Sequence, residues 1–264
     1  MSNDVLIHAT AGVCTISFNR LERKNSITAA MYAAMAEALT RAASDSTTRV
    51  AVLQGHETVF SAGNDLSDFA KAPGSTTESP AFAFMRALAT FPKPLLAAVC
   101  GPAVGIGTTM LLHCDMVYAG DNAVFSMPFA NLGLCPEAAS SMLLPQVFGY
   151  QRAAESLLLG EPFTAQAALD FGLVSKVLPS AEANAYARAQ AAKLTAKPLS
   201  SLLEIKRLLK KGQLTAVLQQ MEDEGASFKR MLAEPAAKEA FSAFMEKRKP
   251  DFSKAWASSA ARPR

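Results

Sequence analysis

Glu137 is the residue whose surroundings most favour chemistry. It ends the segment NLGLCPE of residues 131–137, where its neighbours are mostly apolar. Burial among apolar groups disfavours a charged carboxylate and raises its pKa toward neutrality, which suits proton transfer. A structural interpretation also stays open, because Pro136 at the first helical position with Glu137 in the first turn is an ordinary helix start.

Two glycine-containing turns could hold a negative charge. Residues 105–107 (Gly-Ile-Gly) join a predicted strand to a predicted helix, where free backbone N–H groups and the helix dipole favour an anion. Residues 62–64 (Ala-Gly-Asn) also follow a predicted strand, so their N–H groups could form the second half of an oxyanion hole. Taken alone, the first turn is explained by close helix–strand packing and the second by an ordinary turn. Asp65 is more typical of a residue that bonds its own backbone than of a base.

Several familiar sites are absent from the sequence. Residues 105–107 lack the third glycine of a dinucleotide-binding motif, and neither a P-loop nor a Gly-x-Ser-x-Gly motif is present. The four cysteines form no Cys-x-x-Cys pair, which indicates neither a zinc site nor a disulfide framework. A formal net charge of +3 is too small to indicate nucleic-acid binding. The basic residues at 20–24 and 247–249 are typical of solvated surface, although either group could contact a phosphate.

Strands alternate with helices over most of the chain. Sequence patterns predict strands at residues 13–18, 50–54, 95–99, 116–119 and 124–126. A helix is predicted from a cap at Ser26 or Thr28 to about Ser44, another before Pro92 and another at 108–113. From about residue 181 the pattern becomes helical, with predicted helices at 183–196, 199–210, 214–232 and 236–247. This order predicts an α/β fold with a helical appendage, and the composition of residues 72–80 predicts a mobile loop.

The charge distribution predicts a buried centre. Half of the residues are hydrophobic, and between Glu78 and Glu155 the only acids are Asp115, Asp121 and Glu137. Residues 95–112 are uncharged and approach the length of a membrane span. Glycines and a proline interrupt them, which favours a buried strand, a turn and a packed helix. Because residues 1–4 show no secretory signal, we expect a cytoplasmic protein with no membrane or nucleic-acid partner.

Three segments together resemble the crotonase superfamily of acyl-CoA enzymes. They are FSAGNDL at residues 60–66, PLLAAVCGPAVGIG at residues 94–107 and the Cys-Asp pair at 114–115. The resemblance covers nearly the whole chain, from the Lys-Asn-Ser segment at 24–26 to the closing residues 244–250. It implies a spiral of repeated ββα turns over residues 1–195 and a C-terminal helical region, used in trimerisation, over residues 196–264.

The same resemblance implies a site for an acyl-CoA thioester. The thioester carbonyl would accept hydrogen bonds from the backbone N–H groups of Asn64 and Ile106, and such a hole stabilises an enolate. The residues implied around the substrate are Lys24, Ala62, Gly63, Asp65, Leu66, Gly105, Gly107 and Lys249. No metal and no separate cofactor are expected, because coenzyme A is part of the substrate. The expected assembly is a homotrimer or a dimer of trimers.

The reaction depends on the groups placed beyond that hole. The hydratases of the superfamily carry two catalytic glutamates, at positions that hold Thr109 and Phe129 in this chain. Adding water across a double bond needs one group to activate the water and another to supply the C2 proton. The loss of both carboxylates therefore argues against hydratase activity. Glu137 remains, and a single base is enough for a Δ3,Δ2-enoyl-CoA isomerase, which moves a proton from C2 to C4.

Residues 128–141 (PFANLGLCPEAASS) closely resemble the peroxisomal-type isomerases of that group. The final residues, Arg262-Pro263-Arg264, are not a peroxisomal targeting tripeptide, which favours a bacterial or otherwise cytosolic form. The sequence therefore predicts an enoyl-CoA isomerase in which Glu137 carries the proton. Two alternatives stay open: another crotonase reaction, such as hydration, and an acyl-CoA-binding protein without catalysis.

Overall fold

The computed structural model describes residues 3–69 and 79–253. The predicted mobile stretch at 72–80 lies outside these residues except for its last two, and the final tripeptide at 262–264 lies wholly outside them. The part of the chain that is described has an α/β architecture, with sheets covered by helices. The fold class predicted from the alternation of elements is therefore confirmed.

Nine strands are present in the described residues. They are β1 (Val5–Thr10), β2 (Val13–Phe18), β3 (Val50–Gln54), β4 (Leu95–Val99), β5 (Pro102–Val104), β6 (Met116–Gly120), β7 (Val124–Ser126), β8 (Phe163–Thr164) and β9 (Lys176–Leu178). Six of them form a sheet in the order β1-β2-β3-β4-β6-β9, which is parallel except for the hairpin of β1 and β2. The other three form a smaller sheet in the order β5-β7-β8.

Eleven α-helices accompany these strands in the same residues. They are α1 (Ala29–Ser44), α2 (Leu66–Phe69), α3 (Pro80–Thr90), α4 (Ile106–Thr109), α5 (Ser140–Phe148), α6 (Tyr150–Leu159), α7 (Ala165–Phe171), α8 (Ser180–Thr195), α9 (Leu199–Leu209), α10 (Leu214–Leu232) and α11 (Pro235–Met245). Thr28 caps α1 by accepting a hydrogen bond from the N–H of Met31, as one of the two predicted caps requires.

Successive parts of the chain contribute one strand to each sheet. β4 belongs to the larger sheet and β5 to the smaller, β6 and β7 repeat this division, and β8 and β9 complete it in reverse order. Earlier in the chain, an isolated parallel bridge between Ser61 and Ala103 places the residues after β3 beside β5 of the smaller sheet. This repetition is the spiral that the resemblance implies.

The two faces of the large sheet bury different helices. Alternate residues of a strand point to opposite faces, and strands that are buried on both faces are apolar throughout, as in β4 (LLAAV). Val50 and Val52 of β3 pack with α8, whereas Ala51 and Leu53 face the main core. The buried face of α8 consists of alanines four residues apart, at positions 183, 187 and 191, so this helix can lie close to the sheet.

Several elements differ from the sequence-based expectation: β1, β5, β8, β9, α6 and α7 were not predicted, and one helix begins elsewhere than predicted. β1 was not predicted because most of its side chains are exposed, so it lacks the alternation of a half-buried strand. The helix predicted at 108–113 begins earlier, at Ile106, and continues after Thr109 as a 3-10 turn (Met110–His113). None of the helices in the described residues is long and apolar enough to cross a membrane.

A partly buried ion pair joins the C-terminal helices to the sheet. The Nζ atom of Lys206, on α9, lies 2.7 Å from Oδ2 of Asp115 and also donates to the backbone carbonyl of Lys93. The same oxygen of Asp115 also accepts a hydrogen bond from the backbone N–H of Leu95, at the start of β4. One carboxylate therefore connects β4 to α9. The division of the chain after residue 195 stays a prediction.

We expect Lys206→Ala to lower the free energy of unfolding by about 1 kcal/mol, because the partly exposed carboxylate of Asp115 loses the cation that pairs with it. Urea unfolding followed by circular dichroism would measure this loss. Lys211→Ala is the matched control, since Lys211 follows the same helix and is exposed. Equal stability of the two variants would contradict a structural role for the ion pair.

Candidate active site

A cavity of about 720 Å³ lies between the spiral and the C-terminal helices. The loop after β3, the turn before α4 and the loop before α5 line one part of it, and α10 and α11 line another. Much of the wall is apolar, with Leu66, Phe129, Leu134, Phe228 and Phe241 among its side chains. The cavity wall includes nine residues singled out from the sequence, which are Lys24, Ala62, Gly63, Asn64, Asp65, Leu66, Gly105, Ile106 and Glu137.

Backbone hydrogen bonds hold the two glycine-containing turns side by side. The N–H groups of Phe60 and Ser61 donate to the carbonyl of Pro102, at 3.1 and 3.0 Å, and the N–H of Val104 donates to the carbonyl of Ser61 at 2.9 Å. Gly63 has a φ of +84°, and a Cβ atom there would lie 2.7 Å from the carbonyl oxygen of Val104. Only glycine therefore allows this close approach of the turns.

Each turn leaves one backbone N–H without a partner at the cavity. The N–H groups flanking Asn64 are used: that of Gly63 donates to Ser61 Oγ and that of Asp65 to the carbonyl of Ile27. Ile106 is the first residue of α4, where an N–H has no acceptor within its own helix. The amides of Asn64 and Ile106 thus have no hydrogen-bond partner in the described part of the chain, and both residues line the cavity.

Glu137 lies in a loop and not in the first turn of a helix. The following residues, Ala138 and Ala139, have positive φ angles of 64° and 55°, and α5 begins only at Ser140. The helix-start interpretation of the sequence is therefore wrong. Two consecutive left-handed residues stop the helix from extending back to Pro136, so the Glu137 side chain lines the cavity.

A short chain of polar side chains reaches Glu137 from α1. The Tyr32 hydroxyl donates to Asn64 Oδ1, and Asn64 Nδ2 lies 3.4 Å from Glu137 Oε1, to which it donates. Tyr32 is buried, and burial together with the nearby Glu137 charge holds its pKa well above the usual value. Tyr32 therefore stays protonated and fixes which way the Asn64 amide faces.

Burial dominates the electrostatics of Glu137. Burial and, to a smaller extent, the charge of Glu224 raise the pKa of this carboxyl group from 4.5 to about 7, against the opposing hydrogen bond from Asn64. Near neutral pH, Glu137 is therefore divided between its two protonation states. A group of this kind can both accept and return a proton.

The remaining predicted residues divide into two groups. Asp65 lines the cavity, but its Oδ2 pairs with Arg20 at 2.7 Å and its Oδ1 accepts from the N–H of Ser67, which is the backbone role expected for it. Gly107 and Lys249 do not line the cavity. Gly107 is buried in α4, where a Cβ atom would lie 3.0 Å from the Ser61 carbonyl oxygen, and Lys249 is exposed.

The positions that hold glutamates in the hydratases carry no acid–base group here. Phe129 is buried and forms part of the cavity wall. Thr109 is fully buried in α4, and its hydroxyl has no hydrogen-bond partner in the described residues. Three carboxylates line the described cavity wall: Glu22, Asp65 and Glu137.

Sequence reasoning missed the residues that support Glu137 from a distance. Tyr32 is a buried aromatic residue of an amphipathic helix, and Glu224 is one acid among several on α10. Nothing in their local sequence separates them from ordinary core and surface residues. No cluster of three or more His, Cys, Asp or Glu side chains that could hold a metal ion occurs in the residues that the structure describes.

The raised pKa of Glu137 makes stability depend on pH. Between about pH 4.5 and 7, the folded state holds a proton that the unfolded state has lost, so stability falls as the pH rises. Glu137→Gln removes this dependence. We therefore expect the free energy of unfolding of the variant, relative to that of the unaltered protein, to be roughly 2 kcal/mol higher at pH 8 than at pH 5. Urea unfolding at both pH values measures this difference. Glu222→Gln, an exposed change on α10, is the control, and a pH-independent difference for Glu137→Gln would contradict the assignment.

Comparison with known proteins gives a consistent family. A family profile described as enoyl-CoA hydratase/isomerase matches residues 8–255. Enoyl-CoA delta isomerase 2 of Rattus norvegicus is 42% identical over 184 residues, which are 67% of this chain and 47% of that protein. The 2,3-dehydroadipyl-CoA hydratase of Escherichia coli (strain K12) is 34% identical over 251 residues, which are 95% of this chain and 98% of that one. The chain spans about half the length of the curated isomerases that it matches.

Solved structures share the whole fold. OdaA of Pseudomonas aeruginosa superposes with a TM-score of 0.90 at 43% identity, covering 92% of this chain and 99% of that one. An enoyl-CoA hydratase/isomerase from Pseudoalteromonas atlantica gives a TM-score of 0.90 at 37% identity, with coverages of 95% and 100%. The chain therefore belongs to the enoyl-CoA hydratase/isomerase family of the crotonase superfamily, close to its enoyl-CoA isomerases.

Proposed function

We propose that the protein is a Δ3,Δ2-enoyl-CoA isomerase in which Glu137 carries the proton. The observation that carries this proposal is one carboxylate with a near-neutral pKa in a cavity that two unpartnered amides share. An acyl-CoA thioester is the substrate, and its coenzyme A is the only cofactor that we propose.

The thioester carbonyl oxygen accepts hydrogen bonds from the N–H groups of Asn64 and Ile106. Glu137 removes a proton from C2 of the 3-enoyl group, and the electron pair moves onto the thioester oxygen as an enolate. The two amides bind the negatively charged enolate oxygen more strongly than the oxygen of the neutral carbonyl. This difference lowers the barrier to removal of the C2 proton. The protonated Glu137 then returns the same proton at C4, and the double bond forms between C2 and C3.

The carboxylates of the cavity favour isomerisation over hydration. Hydration needs a second acid–base group, but Asp65 is held by Arg20 and Glu22 is exposed. Phe129 stands where the hydratases carry a further carboxylate.

Hydration is still the second candidate, because the E. coli hydratase aligns with nearly the whole chain. Loss of the conjugated enone absorbance of crotonyl-CoA would favour it, and binding of acyl-CoA with no exchange of C2 protons for deuterium would favour a non-catalytic protein.

Glu137→Gln keeps the size of the side chain and removes the base. We expect it to lower kcat for conversion of a 3-enoyl-CoA to the 2-enoyl-CoA by at least about 10³-fold, with a folded protein by circular dichroism. The absorbance of the conjugated product measures the rate. Glu222→Gln controls for loss of one acid and should keep the unaltered rate. An active Glu137→Gln protein would overturn the role of Glu137.

The pKa of Glu137 predicts the acid limb of the pH–rate profile. Because the free enzyme needs the ionised carboxylate, kcat/KM should fall about tenfold for each pH unit below about pH 7. The same assay, run from pH 5 to pH 9 with a 3-enoyl-CoA, measures this limb. A flat profile through pH 6 would show that a group with another pKa removes the proton.

We also propose a homotrimer or a dimer of trimers. Large apolar side chains are exposed on three helices: Tyr150 and Leu158 on α6, Leu208 and Leu209 on α9, and Met245 on α11. Association would remove these side chains from water. Sedimentation equilibrium should therefore give about three or six times the chain mass of 27.9 kDa, and a monomeric mass at micromolar concentration would contradict the assembly. A cytoplasmic location stays a prediction.

A further inference from the structure

The loop that carries Glu137 has an unusual backbone. Ala138 and Ala139 both lie in the left-handed region, which is unfavourable for alanine and persists only where the surroundings hold it. Ala139 is also the residue before α5, but no side chain at this position accepts from the first turn. The N–H groups at the start of α5 therefore need an acceptor from elsewhere.

Glu224 of α10 supplies that acceptor. Its carboxylate accepts from the N–H of Ala139 at 2.6 Å, from the N–H of Ser141 at 2.9 Å and from the Ser141 hydroxyl. Gln220, one helical turn earlier on α10, donates to Ser141 Oγ at 2.8 Å. Glu224 is 6% exposed, so this carboxylate is committed to the loop and to the start of α5.

The loop is held from a second side. His113, in the 3-10 turn after α4, lies with Nε2 2.8 Å from the carbonyl oxygen of Ala138. Burial lowers the pKa of His113 to about 4, so the ring is neutral at pH 7 and donates through Nε2. The two left-handed residues are thus fixed between α10 and the 3-10 turn.

We propose that Glu224 is a positioning residue for Glu137: it holds the loop in its left-handed form and places a negative charge beside the base. This role rests on the proposed function of Glu137 as the proton carrier. Glu224 is not part of the cavity wall, so it acts through Glu137 and not on the substrate.

Among the groups around Glu137, Glu224 is the anion whose charge shifts the pKa of Glu137. Asn64 faces Glu137 from the loop after β3, Tyr32 from α1 and Cys135 from its own loop. Burial raises the pKa of Tyr32 and that of Cys135, so both are neutral at pH 7. The other charged residues of the cavity wall are Glu22, Arg23, Lys24 and Asp65, and none of them is among the causes of the raised pKa of Glu137.

The charge of Glu224 acts in the same direction as burial. Both raise the pKa of Glu137. The pKa of Glu224 is also raised, because burial outweighs the opposing donors of Ser141 and Ala139. These donors still favour its ionised form, since each of them needs an acceptor. Neutralising Glu224 should therefore lower the pKa of Glu137.

Carboxyl NMR of the full chain labelled with ¹³C-glutamate tests the proposal without an activity assay. The resonance missing from Glu137→Gln identifies Glu137. In Glu224→Gln, its titration midpoint should fall by about half to one pH unit, because a nearby like charge has gone. Glu222→Gln removes the same charge from the exposed face of α10 and should leave the midpoint unchanged. An unchanged midpoint in folded Glu224→Gln would overturn the proposal.

Two further measurements keep the result interpretable. In the unaltered protein, the Glu224 carboxyl should remain ionised while Glu137 titrates, and a Glu224 that takes up its proton first would overturn the proposal even if Glu224→Gln does not fold. In isomerase assays, the acid limb of Glu224→Gln should move with the NMR midpoint. If the unaltered protein does not isomerise 3-enoyl-CoA, the proposed function fails, while the NMR titration still decides the role of Glu224.

Discussion

The contact between residues 60–64 and residues 102–106 is the constraint on which the site depends. β3 and β4 are parallel neighbours, so the segments that follow them leave the same edge of the sheet. Three backbone hydrogen bonds, together with the absence of a side chain at Gly63, then bring the segments into contact. This contact places the unpartnered amides of Asn64 and Ile106 at the same cavity. Neither segment alone supplies both amides.

Burial of the Glu137 carboxyl group in the cavity lowers the stability of the folded protein. The same burial that raises the pKa of Glu137 to about 7 penalises its ionised form in the folded protein. Its loop adds two left-handed alanines, which a stable loop would ordinarily avoid. These costs are offset away from the cavity, by the hydrogen bonds that Glu224 accepts, by the one that His113 donates and by the core that α10 completes.

The C-terminal helices are part of the site and not only an appendage. Phe228 of α10 and Phe241 of α11 line the cavity, and Glu224 holds the loop of Glu137. α9 is joined to the start of β4 through Lys206 and Asp115. Movement of these helices would therefore change the apolar wall and the environment of Glu137 together.

The sequence by itself determined the family and part of the secondary structure. Apolar runs and alternation located β2, β3, β4, β6 and β7, because burial on both faces or on one leaves a local pattern. Three motifs in order were enough to predict the fold, and two substitutions, Thr109 and Phe129, were enough to favour isomerisation over hydration. β1 was missed because an exposed edge strand leaves no such pattern.

Only the tertiary structure decided how Glu137 is held. The segment from Pro136 onward has the local signs of a helix start, but contacts with α10 and with His113 fix two alanines in a conformation that their own preferences disfavour. Tyr32 and Glu224, which set the environment of Glu137, lie 105 residues before it and 87 after it. Local sequence does not carry such information, because hydrogen bonding and charge act through space and depend on packing.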